Sequence, residues 1–153
     1  MNTKNNRRRR KSVENIQQAF MELLETQELK DISVSDLCKR TSLNRSTFYA
    51  NFLDVYDLAD KLRARLEQEF SALFDEDARL RGSDSALRMF HHIRDNQLLY
   101  KTYFKLGYDQ RNPILIYDTY DAARAEQDFG NKNIRYHMEF FRGGINAIIK
   151  FWL

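Results

Sequence analysis

One short polar run near the end of the first third of the chain carries side chains suited to hydrogen bonding with a nucleic acid. Arg45, Ser46 and Thr47 are consecutive, and Tyr49 and Asn51 follow two residues apart. An arginine can donate two parallel hydrogen bonds to a guanine, whereas short hydroxyl side chains reach base edges or phosphate. A tyrosine hydroxyl on a rigid ring suits a phosphate oxygen. The run therefore predicts contact with the major groove of duplex DNA.

The residues around this run predict two short helices joined by a tight turn. Ser33 and Asp36 form a capping pattern, in which the serine hydroxyl accepts a hydrogen bond from the Asp36 amide at the first helix start. Asn44 is a favourable N-cap for a second helix of about two turns. Phe48 and Phe52 are four residues apart, so they share its inward face. A compact head that binds no DNA would have a similar polar surface, and this pattern does not separate the two.

A helix and a charged tail precede this pair. Apolar residues recur three and four apart from Val13 to Leu23, which predicts a first helix from Ser12, acting as its N-cap, to about Gln27. Residues 1–11 end in five consecutive basic residues that repel one another, so we expect a disordered basic arm. The arm can follow phosphates or enter a minor groove, or it can act only as a solvated tail.

The rest of the chain is predicted to be a helical body. Asp54 and Asp57 repeat the capping pattern before a long apolar stripe, which predicts a helix to about Arg81. Further helices are expected from Ser83 or Asp84, from about Gln97 to Leu106 before Gly107, after Asn112-Pro113, and from Asn133 to Leu153.

The composition favours helices throughout. The 153 residues include only five glycines and one proline, and strand-like alternation is scarce. We therefore predict an all-α fold, with a three-helix helix-turn-helix head and a helical regulatory and dimerisation body. The expected boundaries are 1–11 for the arm, 12–53 for the DNA-binding head and 54–153 for the effector and dimerisation domain.

Charge is distributed unevenly along the chain. The first fifty residues hold ten Lys and Arg against six Asp and Glu, whereas the net charge of the whole chain is +3. A basic front on a near-neutral body suggests a polyanion partner. The single cysteine, Cys38, cannot form an internal disulfide, and no stretch approaches 18 apolar residues. The charged N-terminus is followed by no apolar run, so we expect no signal peptide. We therefore expect a cytoplasmic protein with no membrane partner.

Three runs of residues in the first part of the chain form a family pattern: Ile32-Ser33-Val34-Ser35-Asp36-Leu37, then Leu43-Asn44-Arg45-Ser46-Thr47-Phe48-Tyr49-Ala50-Asn51-Phe52, then Asp57-Leu58. With these runs, residues from about Val13 to Leu62 resemble the N-terminal domain of the TetR family of bacterial transcription regulators. The chain departs from the family pattern at Thr41, Ser42 and Val55, where Ala, Gly and Lys are usual. A left-handed conformation at Ser42 would be mildly strained.

The resemblance implies an all-helical homodimer whose two heads bind a palindromic operator and whose body often holds a small-molecule pocket. It implies that Arg45, Ser46 and Thr47 face bases, and that Tyr49 and Asn51 face the DNA backbone or bases. The amides at the start of the following helix, at Val55 and Tyr56, can also cradle a phosphate. The predicted DNA-contacting set is Ser33, Ser35, Asn44, Arg45, Ser46, Thr47, Tyr49, Asn51 and Tyr56.

The last predicted helix carries a heptad-like apolar seam, and its segment Tyr136–Ile145 looks like the dimerisation helix of some family members. Gly143 and Gly144 inside it would each cost about 1 kcal/mol relative to Ala, and their expected use is close approach of another helix. The predicted dimer interface comprises Met138, Phe141, Gly144, Ile145, Ile148 and Trp152.

The body is also rich in aromatic residues. They can line an apolar pocket with hydroxyl groups, or they can simply pack the core and the dimer interface, which is favoured for any single residue. The candidate small-molecule effector site comprises Phe90, Tyr100, Tyr103, Phe104, Tyr117, Tyr136, His137 and Phe140.

No Ser/His/Asp set, phosphate-binding loop, pair of catalytic carboxylates or Cys/His cluster stands out, so we expect no enzyme, cofactor or metal site. We expect a repressor that binds double-stranded DNA as a homodimer and that a small-molecule effector can release. Two alternatives stay open. One is a regulator without a ligand pocket that acts with a protein partner, and the other is a helical protein-interaction module whose basic arm binds acidic surfaces.

Overall fold

The computed structural model describes residues 4–75, 83–111 and 133–153, and each regular element in these ranges is helical. The all-α prediction is confirmed. Within the same ranges, no helix combines the length and the apolarity that crossing a bilayer requires. In chain order the elements are α1 (Lys4–Thr26), a 3-10 turn (Leu29–Asp31), α2 (Val34–Thr41), α3 (Arg45–Tyr49), α4 (Val55–Asp75), α5 (Ser83–Asp95), α6 (Gln97–Lys105), α7 (Tyr108–Arg111) and α8 (Ile134–Trp152).

The chain divides into two compact units, Met1–Leu66 and Glu67–Leu153. This boundary falls inside α4, whereas the sequence placed it just before the helix, after residue 53. Leu58, Leu62 and Leu66 of α4 are buried and belong to the first unit, so the helix supplies part of that unit's core.

The prediction of a disordered arm over residues 1–11 is wrong for the described part of that segment, because α1 already begins at Lys4. Arg and Lys are good helix formers, since their unbranched side chains lose little freedom in a helix. Arg10 lies 3.7 Å from Glu14, four residues later, a pairing that supports a helix. Ser12 is accordingly not an N-cap; its hydroxyl lies inside the helix and donates to the Arg8 carbonyl at 3.0 Å.

The first unit is held together by apolar side chains from α1, α2, α3 and α4. Helix α1 contacts both α2 and α3, and α2 contacts α3. Phe20 from α1, Leu37 from α2 and Phe48 from α3 are completely buried. Burying each such side chain contributes about 1.5–3 kcal/mol relative to leaving it in water. This shared core fixes the position of α3, which is too short to be stable alone.

A surface ion pair links α1 to α2. The Arg40 Nε and Nη2 atoms both donate to Oε2 of Glu22, at 3.1 and 2.9 Å. Hydrogen bonds from Gln18 and then Arg40 lower the pKa of the Glu22 carboxyl. The groups are exposed, so the pair contributes little to stability, about 0–1 kcal/mol.

Helix α2 begins and ends as the sequence predicts. The Ser33 hydroxyl accepts from the Asp36 amide at 3.2 Å, and the Asp36 carboxylate accepts from the Ser33 amide at 3.3 Å, which completes the capping box. Ser42 ends the helix in the left-handed region, with φ of 55°. The amide of Leu43 then donates to the Cys38 carbonyl at 3.1 Å, the 6→1 bond of a Schellman motif.

The start of α4 also confirms its predicted cap. The Asp54 carboxylate accepts from the amides of Tyr56 and Asp57, each at 2.8 Å. The Asp57 carboxylate accepts from the Leu53 amide at 2.9 Å. The helix is described to Asp75; the predicted continuation to Arg81 lies outside the described residues.

In the second unit, α5 and α6 meet at Asn96, where the sequence predicts a break. The Asn96 side chain donates to the His92 carbonyl at 2.9 Å. Gly107 follows α6 with φ of 69°, the left-handed conformation expected after a helix end. The helix predicted after Asn112-Pro113 lies outside the described residues.

The core of the second unit includes Phe70, Met89, Ile93, Leu99 and Ile149, all buried. Ile149 is the described buried side chain of α8, and the helix matches the predicted span from Asn133 to Leu153 within one residue at each end.

Candidate nucleic-acid interface

Helix α3 carries four of the nine predicted contact residues on about a turn and a half. Arg45 and Ser46 are exposed, and Thr47 is half-buried. Tyr49 keeps 55% of its surface exposed. Asn44, at the N-cap position, is exposed as well. The structure therefore brings together the donors that sequence reasoning grouped for base and phosphate contact.

The inward side of α3 is held by aromatic packing. The Phe48 ring is completely buried and lies 5.4 Å from the Phe52 ring and 5.5 Å, edge to face, from the Tyr49 ring. Such ring pairs contribute about 0.5–1.5 kcal/mol beyond burial. The Tyr49 hydroxyl is thereby carried on a ring with a fixed neighbour, which limits its orientations.

Three side chains cap the carboxyl end of α3. The Asn51 amide group donates to the Thr47 carbonyl at 2.8 Å, and its oxygen accepts from Arg9 Nε at 2.7 Å. The Lys61 ammonium donates to the Asn51 carbonyl at 2.9 Å. Cations at a helix end satisfy its unpaired carbonyls and interact favourably with its dipole. Asn51 thus has a structural task that the prediction of a DNA contact did not include.

Lys61 joins this cap to the start of α4. Its ammonium lies 2.8 Å from an Asp57 oxygen and 5.3 Å from the centre of the Phe52 ring. The hydrogen bond from Lys61 and then the Leu53 amide hold the pKa of the Asp57 carboxyl below its usual value. The end of α3 is therefore fixed from both sides, by Arg9 of α1 and by Lys61 of α4.

Of the predicted contact residues near the starts of α2 and α3, Ser33 already forms hydrogen bonds within the chain. The Ser33 hydroxyl bonds Asp36 within the capping box, and this hydroxyl, followed by the Ser33 amide, lowers the pKa of the Asp36 carboxyl. Ser35 is half-buried on α2. Asn44 occupies the predicted N-cap position of α3 with an extended backbone, but its side chain makes no cap hydrogen bond within the described structure.

The predicted phosphate cradle at the start of α4 is already filled at the Tyr56 amide. The Tyr56 amide donates to Asp54, whose negative charge occupies the place that a phosphate would take. The sequence held the signal, because an Asp at an N-cap accepts from these same amides. Tyr56 can still offer its phenol, which is exposed.

The helical extension of α1 is the feature that sequence reasoning missed. Residues 4–11 hold six Lys and Arg and no Asp or Glu. The spacing of Arg10 and Glu14 was the available signal that the helix starts before Ser12. Because Arg9 is bonded to Asn51, the extension places its positive charges at a defined position beside α3.

The described residues of the predicted effector site lie on three helices, α5, α6 and α8, and differ in burial. Tyr100 and Tyr103 are buried in the core, and Phe104 is half-buried. Burial raises the pKa of the Tyr100 hydroxyl well above its usual value, and this hydroxyl lies 2.8 Å from His92 Nδ1. Tyr136 and Phe140 are instead exposed on α8. Aromatic residues fill cores more often than pockets, and the prediction chose them by type alone. Phe90, at the surface, packs edge to face on Trp152 at 6.2 Å; Tyr117 and the side chain of His137 lie outside the described structure.

The predicted dimer helix leaves an apolar stripe in solvent. We define the α8 stripe as Tyr136, Phe140, Ile148 and Phe151, all strongly exposed. Of the predicted interface residues, Gly144, Ile148 and Trp152 are exposed and Ile145 is half-buried. A methyl group added at Gly143 or Gly144 would meet no atom within 4 Å in the described part of the chain. The side chains of Met138 and Phe141 lie outside that part.

Among residues 4–75, 83–111 and 133–153, no group of three or more His, Cys, Asp or Glu side chains is placed to hold a metal ion. Comparison of this chain with protein-family models, with curated protein sequences and with solved structures returned no match. Its function must therefore be inferred from its own residues and their geometry.

Proposed function

We propose that this chain is a sequence-specific DNA-binding transcriptional regulator, organised like the TetR family, that acts in the cytoplasm as a homodimer on a palindromic operator. The observation that carries the proposal is α3, a short helix whose inner side is locked and whose outer side offers Arg45, Ser46 and Tyr49 to a partner. We expect repression as the outcome of binding.

The arrangement of α2, its turn and α3 supports this proposal. In helix-turn-helix proteins, residues from the N-terminal part of the second helix reach base edges while the first helix crosses the backbone. Arg45 and Ser46 are the first residues of α3, and only three residues separate it from α2. Arg45 is suited to a guanine, Ser46 to a base or phosphate, and Tyr49 to a phosphate oxygen.

The basic extension of α1 adds an electrostatic contribution. Its charges lie beside α3 because Arg9 bonds Asn51, so a duplex that meets α3 also meets the extension. Neutralising phosphates releases counterions, which makes such binding strongly dependent on salt. Arg9 and Lys61 therefore serve the interface by holding α3 in place.

The α8 stripe supports homodimerisation. Large exposed apolar patches on a protein surface mark sites of association. A second copy can place its own α8 against the stripe around a two-fold axis, with Gly144 allowing close approach of the backbones. Two heads related by that axis would read the two halves of a palindrome.

We infer that operator affinity is regulated through the second unit, which α4 connects to the first along the chain. A ligand or partner that binds one head spacing better than another shifts the population and changes operator affinity by its differential affinity. A regulator that acts with a protein partner remains the second candidate, because the α8 stripe can also receive a helix of another protein.

The decisive experiment is selection of genomic fragments by the full chain, followed by anisotropy titrations of the selected duplex and of a shuffled duplex. We expect a palindromic sequence bound roughly 10³-fold or more tightly than the shuffled one, with affinity falling steeply as salt rises.

Two variants separate readout from bulk charge. Arg45→Ala should relax the preference at one position in each half-site, at a cost of roughly 1–3 kcal/mol. Lys101→Ala removes the same charge from an exposed position on α6 and should leave base preference unchanged. Equal affinity of the chain for all duplexes, with no palindrome enriched, would overturn the proposal and favour the protein-interaction alternative.

A further inference from the structure

A cavity of about 370 Å³, whose wall is polar and apolar in similar amounts, lies between α7 and α8 within the second unit. Among the described residues of its wall there is none of the aromatic residues that the sequence suggested for an effector. Its wall includes Asp109 and Gln110 from α7, and Glu139, Gly143, Asn146 and Lys150 from α8. The volume lies within the range of small-molecule sites, and the polar groups point to a polar ligand.

Asp109 is the distinctive group of this wall. Its side chain is only 8% exposed, and its Oδ2 atom forms an ion pair with the Lys150 ammonium at 2.5 Å. Its second oxygen, Oδ1, is buried and has no hydrogen-bond partner in the described structure. A buried acceptor left unsatisfied costs about 1–3 kcal/mol, and more when it carries charge. The carboxylate therefore lacks one donor.

Lys150 does not supply that second donor. Its ammonium is held by Asp109 Oδ2 and lies 5.2 Å from the centre of the Phe104 ring, a cation–π contact. The Lys150 ammonium keeps further N–H donors, but none of them is bonded to Asp109 Oδ1. An anionic ligand can contact only Lys150 and would leave Oδ1 without a donor, whereas a cationic ligand would supply that donor.

A ligand reaches Asp109 Oδ1 only if the carboxylate turns. The torsion about the bond from Cβ to the carboxylate is broad and roughly two-fold, and the flexible, partly exposed Lys150 side chain can follow Oδ2 as the carboxylate turns. Gly143 leaves that part of the wall open, since a methyl group added there would meet no described atom within 4 Å. Glu139 adds a second carboxylate to the wall.

We propose that this cavity binds a small organic cation, such as a primary amine, whose ammonium group donates to the second carboxylate oxygen of Asp109. Charge-assisted hydrogen bonds of this kind are shorter and about twice as strong as neutral ones. The site is independent of DNA binding and goes beyond the proposed function, because it assigns a ligand class to a place in the fold.

The test compares three probes that share a four-carbon chain and differ in charge. Butylamine, 1-butanol and butyrate are titrated into the full chain without DNA, and binding is followed by amide chemical shifts of α7 and α8. We expect saturable shifts with butylamine and none with butyrate. Asp109→Asn should weaken butylamine binding roughly tenfold or more. Asp95→Asn, the same change at an exposed carboxylate on α5, should leave it unchanged.

A second variant keeps the test decisive if Asp109→Asn disturbs folding through loss of the Lys150 pair. Gly143→Leu adds a side chain into open space and should abolish butylamine binding while the helix content is retained. Equal binding of the three probes, no saturable binding of butylamine, or binding that survives Gly143→Leu would overturn the inference. DNA affinity enters none of these outcomes, so the result does not depend on the proposed function.

Discussion

Helices α3 and α8 reach stability in opposite ways. Helix α3 has five residues, keeps Phe48 completely buried and has its end capped by Arg9, Asn51 and Lys61. Helix α8 has nineteen residues, enough for its own backbone hydrogen bonds, yet most of its described apolar side chains lie in solvent.

The difference indicates which kind of partner each surface suits. The outward side of α3 is polar, and the groups that do not face outward are satisfied within the chain, so a hydrogen-bonding partner gains contacts without rearranging the fold. The outward side of α8 is apolar, and its exposed side chains are stabilised when a partner removes them from water. One surface suits a polar polymer, and the other suits a second apolar helix.

The largest effect should come from the same truncation made in the two helices. Phe48→Ala should lower the free energy of unfolding by about 3–5 kcal/mol, since the ring is completely buried. Phe151→Ala, at a ring that is 93% exposed, should change it in the monomer by less than about 0.5 kcal/mol. Urea denaturation at low protein concentration measures both. Similar losses would show that the two helices are not stabilised differently.

A charge on the α8 stripe should act on association and not on the fold. Ile148→Glu places a carboxylate where the proposed partner helix packs, and we expect dimer affinity to fall roughly tenfold or more. Lys101→Glu, an exposed charge change on α6, should leave the dimer intact. Light scattering reports the mass; a dimer that persists in Ile148→Glu would place the interface elsewhere.

Loss of Arg9 should destabilise the carboxyl end of α3 more than loss of Arg10. Arg9→Ala removes the bond to Asn51 and should cost about 0.5–1.5 kcal/mol, with faster hydrogen exchange at the Ala50 and Asn51 amides. Arg10→Ala removes the same charge but only a 3.7 Å surface pair, worth about 0.2–0.5 kcal/mol. Equal exchange in the two variants would mean that Arg9 does not hold α3.

The smallest expected effect is a gain at the turn before α3. Ser42 adopts a left-handed conformation that costs a non-glycine residue roughly 1 kcal/mol, so Ser42→Gly should recover part of that cost. Ser12→Gly, inside α1, should instead destabilise by about 0.5–1 kcal/mol. Thermal unfolding compares the two, and a loss of stability in Ser42→Gly would show that the turn is not strained.

Features set by neighbouring residues were predictable from the sequence. The capping box of Ser33, the cap of Asp54, the left-handed Ser42 and the break at Asn96 all depend on side chains within a few positions. The inward placement of Phe48 and Phe52 followed from their spacing. These local rules were sufficient to predict the exposed polar surface of α3.

Features set by distant residues were not predictable. The bond between Arg9 and Asn51 joins positions 42 residues apart. It helps to order the basic segment, whereas repulsion among the segment's own charges favours disorder. The burial of Tyr100 and Tyr103 likewise depends on helices that periodicity cannot arrange in space. The Asp109–Lys150 pair joins α7 to the last turn of α8, and no local pattern marks it.

The helical extension of α1 also has a thermodynamic consequence. A disordered basic segment would lose about 1–2 kcal/mol of backbone conformational entropy per residue when a partner orders it. In this chain the segment from Lys4 is already helical, so that loss is part of folding and not part of association. Calorimetric titration with a polyanion should therefore show a heat-capacity change set by the buried contact surface, without the additional decrease that accompanies folding on binding.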